Sequence, residues 1–229
     1  MASDCLHISI EDAKEWLIYN FGNMYEDSYE YLPEIPLNKE QKIFLDESIL
    51  DAFNQFHPYM YKRRLTDDVL RKFKIGYDSI NNAITFPVWD EHNNLVMITK
   101  RNVDKKMFHL EAGVEKPIYL LNFIKNEGIK DVYVVESQID ALNLWGYGYP
   151  AIALFGTGNE KQYEILNRSG IRHFILCFDG DKAGRDGAHK FKKYINNDIM
   201  INEIHLPEGK DINDLSKEEF EYIKDISLK

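Results

Sequence analysis

The sequence has 229 residues, 44% of them hydrophobic and 29% charged, with a net charge of −10. These proportions exclude global disorder and collagen-like architecture, and the length suits one large domain or two small ones. The longest apolar runs, 151–155 and 174–178, are too short to cross a bilayer, and no signal-peptide pattern opens the chain. Only Cys5 and Cys177 occur, so neither a disulfide framework nor a four-thiolate zinc ribbon is expected, and the chain is predicted to work in a reducing cytoplasm.

Charge is unevenly spread. Residues 1–56 carry 3 basic and 12 acidic side chains, residues 57–130 carry 13 and 9, and residues 131–229 carry 12 and 17. A basic middle therefore precedes an acid-rich end, which directs attention to metals in the last section and phosphates beside it.

In chain order, Ser9 is predicted to cap a helix over 11–21, with Ala13, Trp16, Leu17 and Ile18 at helical spacing. Residues 22–37, rich in Tyr, acids and Pro, read as a strap. A helix over 39–56 is expected to stop at Pro58. Thr66, Asp67 and Asp68 open a short helix reaching Phe73. Two strand-like runs, 83–89 and 95–101, flank a polar turn and predict a hairpin.

From residue 117 helices and strands alternate. Helices are expected over 117–127, 138–146, 159–169 and 183–195, and strands over 131–135, 150–154, 172–178 and 200–205. Short apolar strands without strict alternation predict a parallel sheet covered on both faces. A capping box, Ser216 with Glu219, opens a last helix over 216–223. A domain boundary is placed near 115, dividing 1–115 from 116–229.

In such sheets ligands bind beyond the C-terminal strand ends. Glu136 directly follows the 131–135 strand, with Asp140 four residues on. Asp179, Gly180 and Asp181 directly follow the 172–178 strand, and Glu208, Asp211, Asn213 and Asp214 follow 200–205. Alone, Asp-Gly-Asp is a common turn, Glu136 a helix-start acid, and Asp211 and Asp214 surface caps. Together, three strands deliver carboxylates to one edge. Two carboxylates about 5 Å apart repel by roughly 3 kcal/mol at an effective dielectric near 20. Such a cluster must either protonate in part or hold a cation, and an all-oxygen set suits Mg²⁺ or Mn²⁺.

The segments Val134-Val135-Glu136-Ser137-Gln138-Ile139-Asp140, Phe178-Asp179-Gly180-Asp181-Lys182-Ala183-Gly184 and Leu206-Pro207-Glu208-Gly209-Lys210-Asp211 resemble the three motifs of the TOPRIM domain, the metal-binding domain of topoisomerases and bacterial-type primases. Phe155-Gly156-Thr157-Gly158 resembles the turn after its second strand. Upstream, Tyr61-Lys62-Arg63-Arg64-Leu65, Phe73-Lys74-Ile75-Gly76-Tyr77, the hairpin segments 84–88 and 100–103, and Lys116-Pro117-Ile118-Tyr119-Leu120 resemble the core of bacterial- and phage-type DNA primases. Two positions depart from the pattern: Ser137 replaces a usual Gly, and Asn213 stands where an Asp is common.

The resemblance implies an α/β fold, with a TOPRIM-type Rossmann-like parallel sheet preceded by a smaller mixed α+β basic lobe. It implies DNA-templated synthesis of RNA primers from ribonucleoside triphosphates with Mg²⁺ or Mn²⁺ and no zinc in this chain. Glu136, Asp179 and Asp181 are the implied catalytic acids. Asp140 and Asp211 complete the metal set, and Arg63, Arg101, Lys106 and Lys116 are the implied nucleotide- and template-binding cations. Implied partners are single-stranded DNA, a replicative helicase and a separate zinc-bearing chain, in a bacterial or phage-infected cytoplasm. Two other classes share these residues: a TOPRIM nuclease, and a non-catalytic module that binds nucleotides or a replisome partner.

Overall fold

The computed structural model describes residues 44–104, 108–109 and 116–228. The expected helix at 11–21, the 22–37 strap, Cys5, Lys106 and the 115 boundary lie outside them. Every described residue belongs to one compact unit, within 43–229.

The described end of the expected 39–56 helix is a 3-10 helix, Glu47–Phe53, capped by Asp46. Pro58 does not stop it but opens the next helix, α1 (Pro58–Lys62), with His57 as N-cap. The correction has a simple cause: proline lacks an N–H, and the first turn of a helix has no use for one. Helix α2 (Asp67–Lys72) carries Asp67 and Asp68 in its first turn and Arg71 and Lys72 in its last, which suits the helix dipole at both ends.

Strands β1 (Gly76–Asp78), β2 (Ala83–Trp89), β3 (Leu95–Asn102) and β4 (Phe108–His109) form an antiparallel sheet in that order. The predicted hairpin pairs Ile84 with Arg101 and Phe86 with Thr99. Asp90 closes its turn by accepting from the N–H groups of His92 and Asn94.

After α3 (Leu121–Asn126) come β5 (Asp131–Val135), α4 (Gln138–Tyr147), β6 (Ala151–Ala153), α5 (Glu160–Arg168), β7 (His173–Leu176), α6 (Lys182–Tyr194), β8 (Met200–Glu203) and α7 (Lys217–Ser227). The four strands form a parallel sheet in the order β6-β5-β7-β8. Every helix and strand expected after 117 is present, with ends shifted by a few residues.

Side chains of the parallel strands alternate between two cores. Val132, Val134, Ile152, Phe174 and Leu176 join Phe191 and Tyr163 on one face. Tyr133, Val135, Ala151, Ala153 and Ile175 join Met60, Leu70, Phe73, Ile84 and Phe86 on the other. A strand buried on both faces has no polar face to display, which is why its sequence lacks alternation. The second core also binds the antiparallel lobe to the parallel sheet, since one apolar layer serves both.

Candidate functional site

The strand order makes the site. From β5 the chain crosses to β6 on one side and then to β7 on the other, so the topology switches between β5 and β7. The crevice beyond the C-terminal ends of two such strands is the usual ligand position in an open α/β sheet. Glu136 follows β5 and Asp179 closely follows β7. The backbone N–H of Asp179 donates to Glu136 Oε1 at 3.2 Å.

The Asp179-Gly180-Asp181 turn is stitched to the loop after β8. Gly180 N–H donates to the Lys210 carbonyl at 2.9 Å, and Gly209 N–H donates back to the Gly180 carbonyl at 2.8 Å. A Cβ on Gly180 would lie 2.0 Å from the Pro207 carbonyl oxygen, so only glycine permits this approach. Asp181 then caps α6, accepting from Gly184 N–H at 2.8 Å. Asp211 caps the short 3-10 turn Ile212–Asp214, accepting from Asp214 N–H at 2.9 Å. Each of these two acids thus spends an oxygen on the backbone that presents it.

Ser137 has φ −112°, an ordinary extended conformation, so the position expected to need glycine places no strain on serine. Its hydroxyl accepts from Asp140 N–H at 3.3 Å and donates to Asp140 Oδ2. Asp140 Oδ1 accepts from the N–H of Asn213 at 3.0 Å. Asp140 is 3% exposed, so both of its oxygens are held by donors of the protein itself.

The acids feel one another. Burial raises the Glu136 carboxyl, the Asp179 N–H opposes this, and the charge of Asp181 adds to the rise. Burial, followed by the charges of Glu136, Asp140, Asp211 and Asp181, pushes Asp179 up to about 7. Burial and Asp211 push Asp140 up to about 7, against Ser137, the Asn213 N–H and the Arg63 charge. Carboxyls driven this far toward neutrality, by burial first and by one another's charge second, form a set short of positive charge. As placed, no three His, Cys, Asp or Glu side chains among the described residues group as a metal cluster. The donor chemistry nevertheless fits a hard divalent cation: oxygens only, mutually repelling, at an open strand edge.

Among the expected cations, Arg63 is half-buried and its charge acts on Asp140. Arg101 lies on β3, opposite Ile84. Lys116 is exposed and donates to the Phe155 carbonyl at 3.1 Å, beside the Gly156-Thr157-Gly158 turn. That turn is tied to the site, because Gly156 N–H donates to the Glu136 carbonyl at 3.0 Å. Charge coupling therefore joins Glu136, Asp140, Asp179, Asp181, Asp211 and Arg63, whereas Arg101 and Lys116 approach from neighbouring elements.

Comparison with known proteins agrees with this fold. Residues 133–216 match the Toprim-like family model. A DNA primase of Haemophilus influenzae is 27% identical over 87% of this chain and 41% of its own length. The zinc-binding and RNA polymerase domains of Aquifex aeolicus primase superpose with a TM-score of 0.65 at 18% identity, over 99% of this chain and 69% of that one. A DnaG primase catalytic domain bound to single-stranded DNA superposes with a TM-score of 0.62 at 22% identity, over 74% of this chain and 70% of that one.

The fold and the family match together make residues 133–216 a Toprim-like domain. More particularly, the chain resembles the catalytic core of bacterial- and phage-type DNA primases. It spans 41%, 30% and 42% of three such relatives.

Proposed function

We propose that the chain is a primase catalytic core that makes short RNA primers on single-stranded DNA by nucleotidyl transfer. The observation carrying this reading is the Glu136–Asp179 contact across the switch point, within a carboxylate set that repels itself. Glu136, Asp179 and Asp181, with Asp211 from the adjoining loop, are the residues that would hold Mg²⁺ or Mn²⁺. A divalent ion there supplies charge stabilisation for an in-line phosphoryl displacement.

The chain's own groups account for the rest. Glu136 is the acid suited to drawing the proton from a primer 3′ hydroxyl, because burial and neighbouring charge keep its carboxyl above the usual range. Arg63, Arg101, Lys106 and Lys116 belong to the basic middle of the sequence and suit the phosphates of an incoming triphosphate and of the template backbone. Single-stranded DNA and ribonucleoside triphosphates are accordingly the proposed substrates. A replicative helicase and a zinc-bearing chain are proposed partners, since one structural neighbour is the primase fragment of the bacteriophage T7 primase-helicase protein and the Aquifex aeolicus structure includes a zinc-binding domain.

The test supplies single-stranded template, the four ribonucleotides and Mg²⁺ or Mn²⁺, with and without a zinc-domain chain. Template-dependent RNA supports the reading. DNA cleavage in Mn²⁺ without nucleotides, and no RNA under either condition, overturns it in favour of a nuclease.

A further inference from the structure

We propose that Arg64 and Asn213 form a latch that positions the Asp211 loop, so that both are positioning residues for the acid edge although neither is a ligand. The consequence for metal binding rests on the primase reading; the latch itself does not.

Arg64 follows α1 with φ 60°, in the left-handed region that favours glycine. Leu65 N–H reaches back to the Met60 carbonyl and Arg64 N–H to the Tyr61 carbonyl, the ordinary pattern of a helix end. An arginine there carries backbone strain that a glycine would not. Its side chain shows what offsets that strain. The guanidinium donates to the Asn213 carbonyl, and also to the Leu215 carbonyl at 3.1 Å.

The loop answers in kind. Asn213 is 6% exposed, and its Nδ2 donates to the Arg63 carbonyl at 2.8 Å while its N–H donates to Asp140. Tyr147 adds a hydroxyl bond to the Leu215 carbonyl at 2.8 Å. The chain between Gly209 and Leu215 is thus fastened at both ends: to Gly180 at one, and to Arg63, Arg64 and Asp140 at the other. Asp211 lies between the two fastenings.

This explains why an amide stands at 213. A carboxylate could only accept, so an Asp would set oxygen against the Arg63 carbonyl and add charge beside Asp140. The site forgoes a possible ligand at 213 and gains a fixed loop.

The experiment uses the full chain and two variants. Mn²⁺ titration followed by electron paramagnetic resonance reads the site, and amide hydrogen exchange over 211–215 reads the latch. Asn213→Asp is expected to weaken Mn²⁺ binding at least tenfold although it adds a carboxylate; binding that is unchanged or tighter overturns the proposal. Arg64→Gly removes the strain and the clamp together. It is expected to leave the melting temperature within a few degrees while exchange over 211–215 rises at least tenfold, and unchanged exchange overturns the proposal. Wild-type protein that binds no Mn²⁺ would defeat the primase reading, and hydrogen exchange alone would then decide the latch.

Discussion

Glu136 Oε1 accepts the backbone N–H of Asp179 at 3.2 Å, so the acid that follows one parallel strand is held by the backbone that follows its neighbour. The contact needs an acceptor at 136 but not a charge. Glu136→Gln should therefore keep the fold, with unfolding free energy unchanged to within about 0.5 kcal/mol. It should lower primer synthesis by roughly 10²-fold or more, the usual loss when a positioned base is removed. Parallel thermal melts and primer assays check both halves, and an active, well-folded variant would remove Glu136 from catalysis.

The charge of Asp179 is destabilised by its burial and by the very neighbours that make it useful. Asp179→Asn removes a charge penalised first by burial and then by repulsion from Glu136, Asp140, Asp211 and Asp181. Without added metal the variant should be more stable than wild type by about 1 kcal/mol, a fraction of the Coulomb cost of one close pair. Added Mg²⁺ should raise the melting temperature of the wild type and not of the variant. A metal-dependent shift that survives the substitution would place the cation elsewhere.

Gly180 and Gly187 are separable tests of close approach. A Cβ on Gly180 meets the Pro207 carbonyl oxygen at 2.0 Å, whereas one on Gly187 meets the Thr157 side chain at 2.4 Å. Backbone yields less readily than a side chain. Gly180→Ala should cost roughly 3 kcal/mol, the upper end for overpacking, and should also displace Asp179 and Asp181. Gly187→Ala should cost about 1 kcal/mol and leave the acid edge in place. Denaturant unfolding of the two variants gives the ranking.

Asp78 supplies a pH dependence far from the acid edge. Its side chain is 5% exposed, and burial alone would raise its pKa. Hydrogen bonds from Lys100 and Asn81, with the Lys100 charge, outweigh burial and bring it down to about 2. A folded-state value below the unfolded one contributes stability that is complete above about pH 4 and lost as pH falls toward 2. The loss should be at most about 2 kcal/mol. Asp78→Asn should flatten that part of the stability-against-pH curve; an unchanged curve would show that the pair is not coupled to folding.

Much of the site is legible in the residues alone. Glu136, Asp179 and Asp181 each follow an apolar run closely, and a short apolar run bounded by turn residues is a strong sign of a buried parallel strand. The capping of Asp140 is equally local, since Ser137 three residues before it is an ordinary helix-start spacing. Other features have no local signal. Arg64 is one of three consecutive basic residues, and nothing nearby marks it as the one whose backbone turns left-handed toward a loop about 150 positions away. Asn213 reads as a weakened ligand because its partners, the Arg63 carbonyl and Asp140, are remote in sequence. Pro58 misleads for a related reason: proline ends one helix or begins another according to where the chain goes next.

Local pattern and spacing determined the alternation of helices and strands, the apolar faces and the strand-end acids, because periodicity and capping act over a few residues. Only the tertiary structure decided the strand order β6-β5-β7-β8, which sets Glu136 and Asp179 on either side of one crevice. It alone decided which polar groups became braces and which stayed available to a ligand. A hydrogen bond across a long stretch of chain depends on where packing brings its partners, and no window along the sequence contains both.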